Sequence, residues 1–184
     1  MVRVVKVVLG IDPGLDRTGY GVIDVSTGRV RLLEAGVVRS SAKDKDIAHR
    51  VKEIYDGVRE VIEMFRPEVI AMEQLYSHYD HPRTAIIMGH ARGCICLVAA
   101  QEGIEVVSYA ATQVKKLLTG SGRATKDQVQ RAIKLELGLE QCPDPPDVAD
   151  ALAIALCHLY HGRVGIPTPG DPLKGDFPEG SVRR

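Results

Sequence analysis

The chain has 184 residues, and 24 basic residues balance 24 acidic ones to a formal net charge of zero. With 45% hydrophobic and 26% charged residues, no Trp and only two Phe, it is sized and composed as one globular domain. That excludes a disordered, collagen-like or disulfide-scaffold protein.

The opening residues, MVRVVKVVLGID, carry Arg3, Lys6 and Asp12. They therefore form neither a signal-peptide apolar core nor a membrane span, and a cytoplasmic location is expected. Val4 to Asp12 is a β-branched run closed by Pro13-Gly14, the pattern of a buried strand ending in a tight turn. Thr18 to Val25 and Val30 to Val38 are two further short apolar stretches joined by the turn residues Ser26, Thr27 and Gly28, so a hairpin is expected. Apolar residues then recur at Ile47, Val51, Ile54, Tyr55, Val58, Val61, Ile62 and Phe65, a helical stripe that Pro67 ends. Val69 to Met72 follows as a short apolar strand running into Glu73.

From Arg83 to Gln101 small and apolar residues run with only His90 and Arg92 between them, which predicts a helix covered on two sides. One side can pack on the sheet. Gly89, Ala91, Gly93 and Cys94 would let another backbone approach the other, so a subunit interface is expected there, with burial inside one chain as the alternative. His90 reads as a hydrogen-bonded packing residue. Ile104 to Ser108 reads as a strand, Thr112 to Leu118 as a short helix, and Thr125 to Leu137 as a helix capped by Thr125 with Gly138 beyond its end. Pro143, Pro145 and Pro146 force a loop before a last buried helix, Asp147 to His161. Gly162 to Arg184 is rich in Gly and Pro, a flexible tail, so the expected domain spans residues 1–161 and the tail 162–184. The order β-β-β-α-β-α-β-α-α-α predicts an α/β fold, a mixed sheet with helices on both faces.

Cys94, Cys96, Cys142 and Cys157 have no metal-type spacing and read as buried free thiols. Overall neutrality hides segregation. Between Thr112 and Lys134 six basic residues (Lys115, Lys116, Arg123, Lys126, Arg131, Lys134) face only one acid, Asp127. From Leu135 to Asp150 there are five acids and no bases. The first stretch suits a polyanion and the second a cation.

Asp12 and Glu73 each end a strand, and they lie side by side if those strands pair in parallel. Asp147 and Asp150, three apart, share one face at the start of the last helix. They can simply cap that helix. Glu73, however, follows the apolar run VIAM at the rim of a buried strand, where an unpaired charge is expensive. Four carboxylates meeting at one edge repel one another unless cations neutralise them, and hard oxygen ligands suit Mg²⁺ or Mn²⁺. Two such ions can clamp a phosphodiester, for which Lys115 to Lys134 supplies a track and Gly120, Ser121 and Gly122 an approach. GIDPG with a hairpin also resembles the phosphate loop of sugar-kinase and actin-type ATPases, but those need two copies of such a domain. A catalytically silent binding domain with this fold is a further alternative.

The segments LGIDPG with TGYGVI at 9–23, AMEQLY at 71–76, GHARG at 89–93, YAATQVKKLLTGSGRATKDQV at 109–129 and DVADALAIA at 147–155 together resemble the RuvC family, bacterial Holliday junction resolvases. The resemblance implies a ribonuclease H-like fold with a five-stranded sheet. It also implies a Mg²⁺-dependent homodimeric endonuclease that nicks four-way DNA junctions symmetrically in recombination and repair, leaving 5′-phosphate and 3′-hydroxyl ends. Asp12, Glu73, Asp147 and Asp150 would be its catalytic, metal-binding acids, with Asp12 bridging two ions. Lys115, Lys126 and Arg123 would contact DNA, and Tyr76 would stack on an unpaired base at the crossover, or simply pack. Arg92 would serve the dimer or the DNA. The family also implies a RuvA/RuvB-type branch-migration partner. His90 departs from the family pattern, which has Gln there, and a ribonuclease H acting on RNA–DNA hybrids is the alternative of the same fold.

Overall fold

The computed structural model describes residues 6–40, 46–74 and 82–164. Its elements are β1 (Val7–Asp12), β2 (Arg17–Asp24), β3 (Arg31–Arg39), α1 (Ile47–Phe65), β4 (Val69–Glu73), α2 (Pro82–Gln101), β5 (Glu105–Tyr109), α3 (Ala111–Thr119), α4 (Lys126–Leu137) and α5 (Pro146–Val164). The order matches that expected from the sequence. The last helix runs past the expected boundary at His161 to Val164, and most of the Gly/Pro tail lies outside the described residues, as do Val4 and Val5.

The five strands form one sheet in the order β3-β2-β1-β4-β5. β1 pairs antiparallel with β2 and parallel with β4, which in turn pairs parallel with β5. In the centre, β1 is covered on both faces. Leu9 and Ile11 pack with Ile54, Val58, Ile62, Ile95 and Val98 of α1 and α2 on one side. Val8 packs on the other, in a core that α5 fills with Ala149, Leu152, Ala153, Leu156 and Cys157.

Local chemistry sets the helix ends. Asp46 caps α1 by accepting from the His49 amide at 2.9 Å, and Arg66 turns the chain out in a left-handed conformation before Pro67. Thr125 and Gln128 form a reciprocal capping box on α4, and Gly138 closes it at φ 62°. At the far end of α5, fully buried Tyr109 shares a 2.7 Å hydrogen bond with His158 Nδ1. Burial, reinforced by His161, holds the His158 imidazole down at about 4.

Glycines let α5 lie directly on the sheet. A Cβ on Gly10 would stand 2.1 Å from the Ala151 carbonyl oxygen, and one on Gly19 would stand 2.1 Å from that of Asp147. The helix answers with small residues, Ala149, Ala151, Ala153 and Ala155, so backbone meets backbone.

The helix α2 is not buried inside one chain, the alternative expected for it, and its His90 corrects a second expectation. Within the chain it is covered on one side only. Ala91, Cys94, Ile95, Val98 and Ala99 are buried, while Ile86 is 62% and Leu97 54% exposed, and a Cβ on Gly89 or Gly93 would meet nothing. His90 is exposed, with no hydrogen-bond partner among the described residues, because it sits on that outward side. By length and composition Thr84–Gln101 could cross a membrane, but its inner face is packed on the sheet as a layer of the domain. All four cysteines are free, yet only Cys94 and Cys157 are buried; Cys142 lies in the exposed loop before α5.

Candidate active site

The parallel pairing of β1 with β4 runs to Ile11 opposite Met72, so the next residues, Asp12 and Glu73, emerge together at one edge of the sheet. The turn leaving β1 is fixed by buried Thr18, whose hydroxyl donates to the Gly14 carbonyl at 2.8 Å and accepts from the Gly14 amide at 3.3 Å. The close approach at Gly19 and Gly10 then sets the first turns of α5 over the same edge, bringing in Asp147 and Asp150. Sheet register positions two acids and helix packing positions the other two.

The four charges feel one another. Burial first, then the charges of Asp150, Glu73 and Asp147, push the Asp12 carboxyl up to about 7 against the opposing pull of Lys126. Burial and Asp150 raise Glu73, and Lys115 and Lys126 oppose the rise. Asp150 is raised chiefly by burial and also by Asp147, with Lys126 and Lys115 opposing. A cluster of half-buried carboxylates that drive up one another's pKa values is one that bound cations would relieve. The donors are all carboxylate oxygens, the set that hard divalent ions prefer over zinc.

Among the described residues no three His, Cys, Asp or Glu side chains stand together as a ready ligand set. Two of the acids instead face cations, Asp150 at 3.8 Å from Lys126 Nζ and Asp147 at 4.0 Å from Arg17.

A cleft of about 230 Å³ opens beside the acids, its floor and walls including Glu73, Asp150, Lys115, Lys126 and Val114. Two of the expected DNA-contacting residues, Lys115 and Lys126, thus share a cavity with two of the acids. Arg123 is exposed on the loop before α4 and does not line that cavity. Tyr76 lies outside the described residues.

Arg92 makes its contacts within the chain. Its Nη1 donates to the Glu73 carbonyl at 2.7 Å, and its Nη2 donates to Ser108 Oγ. It therefore ties α2 to the ends of β4 and β5, at the residue that carries the Glu73 carboxylate. Sequence pattern reveals neither this tie nor the Arg17 contact. The strand glycines did carry a signal, since Gly within a strand marks a close backbone approach.

A five-stranded mixed sheet in this order, with acids grouped at the end of its central strand, defines a ribonuclease H-like α/β protein. The sequence profile described as crossover junction endodeoxyribonuclease RuvC matches residues 8–158. The chain belongs to the RuvC family of crossover junction endodeoxyribonucleases. It is 53% identical over 153 residues to the crossover junction endodeoxyribonuclease RuvC of Rhodopirellula baltica, covering 83% of this chain and 85% of that one. The structure of T. thermophilus RuvC in complex with a Holliday junction substrate superposes with a TM-score of 0.83 at 39% identity, covering 89% of this chain and 99% of that one. The yeast mitochondrial Holliday junction resolvase shares the fold, with a TM-score of 0.61 at 16% identity over 83% of this chain and 77% of that one.

Proposed function

We propose that the chain is a structure-specific endonuclease that resolves four-way DNA junctions by paired, metal-dependent nicks. The observation that carries this reading is the meeting of Asp12, Glu73, Asp147 and Asp150 at one sheet edge, beside a cleft that also presents Lys115 and Lys126. These four acids would hold Mg²⁺, in the two-ion arrangement that suits phosphodiester hydrolysis. When bound, such ions supply Lewis acidity toward the phosphate oxygens.

The chain's own residues do the rest. Lys115 and Lys126 draw the scissile phosphodiester into the cleft and offset its charge. Arg92 keeps the end of β4 in place, so that Glu73 is presented without a search of conformations. Buried Thr18 locks the turn after Asp12. Arg123, exposed on the approach to α4, extends the DNA contact beyond the cleft, and Tyr76 of the AMEQLY segment is assigned to stacking on an unpaired base at the crossover from the family resemblance.

Symmetric nicking of two strands needs two sites, and the outward face of α2 is the surface that fits a second copy. It is apolar at Ile86 and Leu97 and unobstructed at Gly89 and Gly93, so another backbone can come close. We read residues 1–161 as the nuclease domain and the remainder as its tail. The branch-migration partner, a RuvA/RuvB-type complex, rests on the family resemblance.

The test incubates wild type and Asp12→Asn with a labelled mobile four-way junction, a matched linear duplex and an RNA–DNA hybrid, in Mg²⁺ or in EDTA. Paired symmetric nicks in the junction alone, lost in EDTA and in the variant while junction binding persists, are expected. Cleavage of the hybrid without the junction would replace this reading with a ribonuclease H. Binding without cleavage in any metal would replace it with a silent binding domain.

A further inference from the structure

Arg17 and Arg39 are directly opposite each other across the β2–β3 ladder. Residues paired in this way project to one face of the sheet, and two like charges so placed repel. Arg17 faces the α5 side, since its guanidinium reaches toward Asp147 and since Gly19, two residues on, meets the α5 backbone. Arg39 shares that face.

The segment that carries both is held firmly. The Ser40 amide donates to the Asp16 carbonyl at 3.2 Å, and Ser40 Oγ donates to the Leu15 carbonyl at 2.8 Å. Arg50 pairs with Asp16 and is thereby neutralised. Arg17 is half-exposed, and its one counter-charge among the described residues is Asp147, at 4.0 Å. In the nuclease reading that carboxylate is needed for the ion. Once it is so engaged, two opposed arginines remain, fixed at the rim of the site.

Their position complements that of the lysines. The strand order puts β2 and β3 on one flank of β1 and β4 on the other, and Lys115 and Lys126 line the cleft beside Glu73 of β4. β3 lies two strand spacings, about 10 Å, from β1. Guanidinium groups grip phosphate oxygens in pairs, which suits them to a backbone of fixed geometry.

We propose that Arg17 and Arg39 form a second phosphate-binding wall, on the opposite flank of α5 from Lys115 and Lys126, which holds a phosphodiester neighbouring the one to be cut. This inference rests on the reading of the chain as a junction nuclease, because it assumes DNA crosses the acids.

The test measures affinity for a labelled four-way junction in Ca²⁺, a hard ion that engages the carboxylates, as salt is raised, for wild type, Arg17→Ala, Arg39→Ala, the double variant, Arg17→Lys/Arg39→Lys and Lys126→Ala. Each lost phosphate contact flattens the logarithmic salt slope by about 0.9, so between about 50 and about 200 mM salt wild-type affinity should fall about 12-fold further than that of the double alanine variant. The lysine pair should restore most of that slope, and Arg39→Ala alone, at a residue paired with none of the four acids, should remove about half the difference in slope. A double alanine variant with the wild-type slope, alongside a flattened Lys126→Ala, would overturn the second wall and leave the nuclease reading standing. Wild type that does not bind the junction at low salt would overturn both.

Discussion

Without divalent metal the protein should be least stable where its acids are most ionised, and Asp12 sets the size of that effect. Its carboxyl rises from an ordinary 3.8 to about 7 in the fold. Between those values the native state keeps a proton that the unfolded chain has released. Native stability from this group is therefore complete below pH 3.8 and is lost as pH rises through about 7. A rise of about 3 units corresponds to about 4 kcal/mol, a large part of the stability of a domain this size. Asp12→Asn removes the titrating group. In EDTA the variant should match wild type only below about pH 3.8, gain on it steadily as pH rises towards 7, and exceed it above neutral pH by up to about 4 kcal/mol. Glu73 and Asp150 are raised in the same direction, by burial and by acids other than Asp12, so they lower stability at higher pH in both proteins and leave the difference between them to Asp12. Urea unfolding at several pH values between about 4 and 8 measures it, and saturating Mg²⁺ should erase the advantage by stabilising only wild type strongly. Parallel stability curves for the two proteins across this range in EDTA would refute the coupling of these acids.

Two further outcomes follow from contacts away from the carboxylates. Arg92→Ala removes a charge-assisted hydrogen bond to the Glu73 carbonyl and should lower kcat for junction nicking about tenfold, with junction affinity within about twofold of wild type. Arg92→Lys should recover part of it, whereas equal losses of affinity and kcat would place Arg92 in DNA binding instead. Leu97→Asp puts a charge on the outward face of α2, where the side chain is 54% exposed, and should convert a dimer to a folded monomer by sedimentation without changing the circular dichroism spectrum. A variant that still sediments as a dimer would move the interface elsewhere.

The order of elements was legible because each carries a local signal. The α1 stripe has a period of 3.6, Thr125 and Gly138 bracket α4, and Pro13-Gly14 closes β1. Asp12 and Glu73 were legible as neighbours for a simple reason: each ends an apolar strand, and parallel pairing aligns such ends. What the sequence could not show depends on long-range packing. Arg92 meets the Glu73 carbonyl across 19 residues of chain, and a backbone oxygen leaves no trace in residue identity. His90 faces outward because α2 is covered on one side only, which a uniformly apolar helix does not announce. Arg17 and Arg39 come together only through hairpin register, which a bulge between Val22 and Ile23 shifts.

The bare contact of α5 with the sheet decides which partner must adapt when DNA arrives. Between Gly10 and Ala151, and between Gly19 and Asp147, no side chain lies in the gap to be compressed or rearranged. A helix seated on naked backbone cannot tilt or slide without breaking the central core that it also fills. The acids on its first turns are thus held like teeth in a closed jaw. In the junction-nuclease reading it is then the nucleic acid that conforms, and a branched substrate that deforms more readily than a continuous duplex does so at lower cost. Selection for branched DNA can therefore begin with the stiffness of the protein, before any base is read.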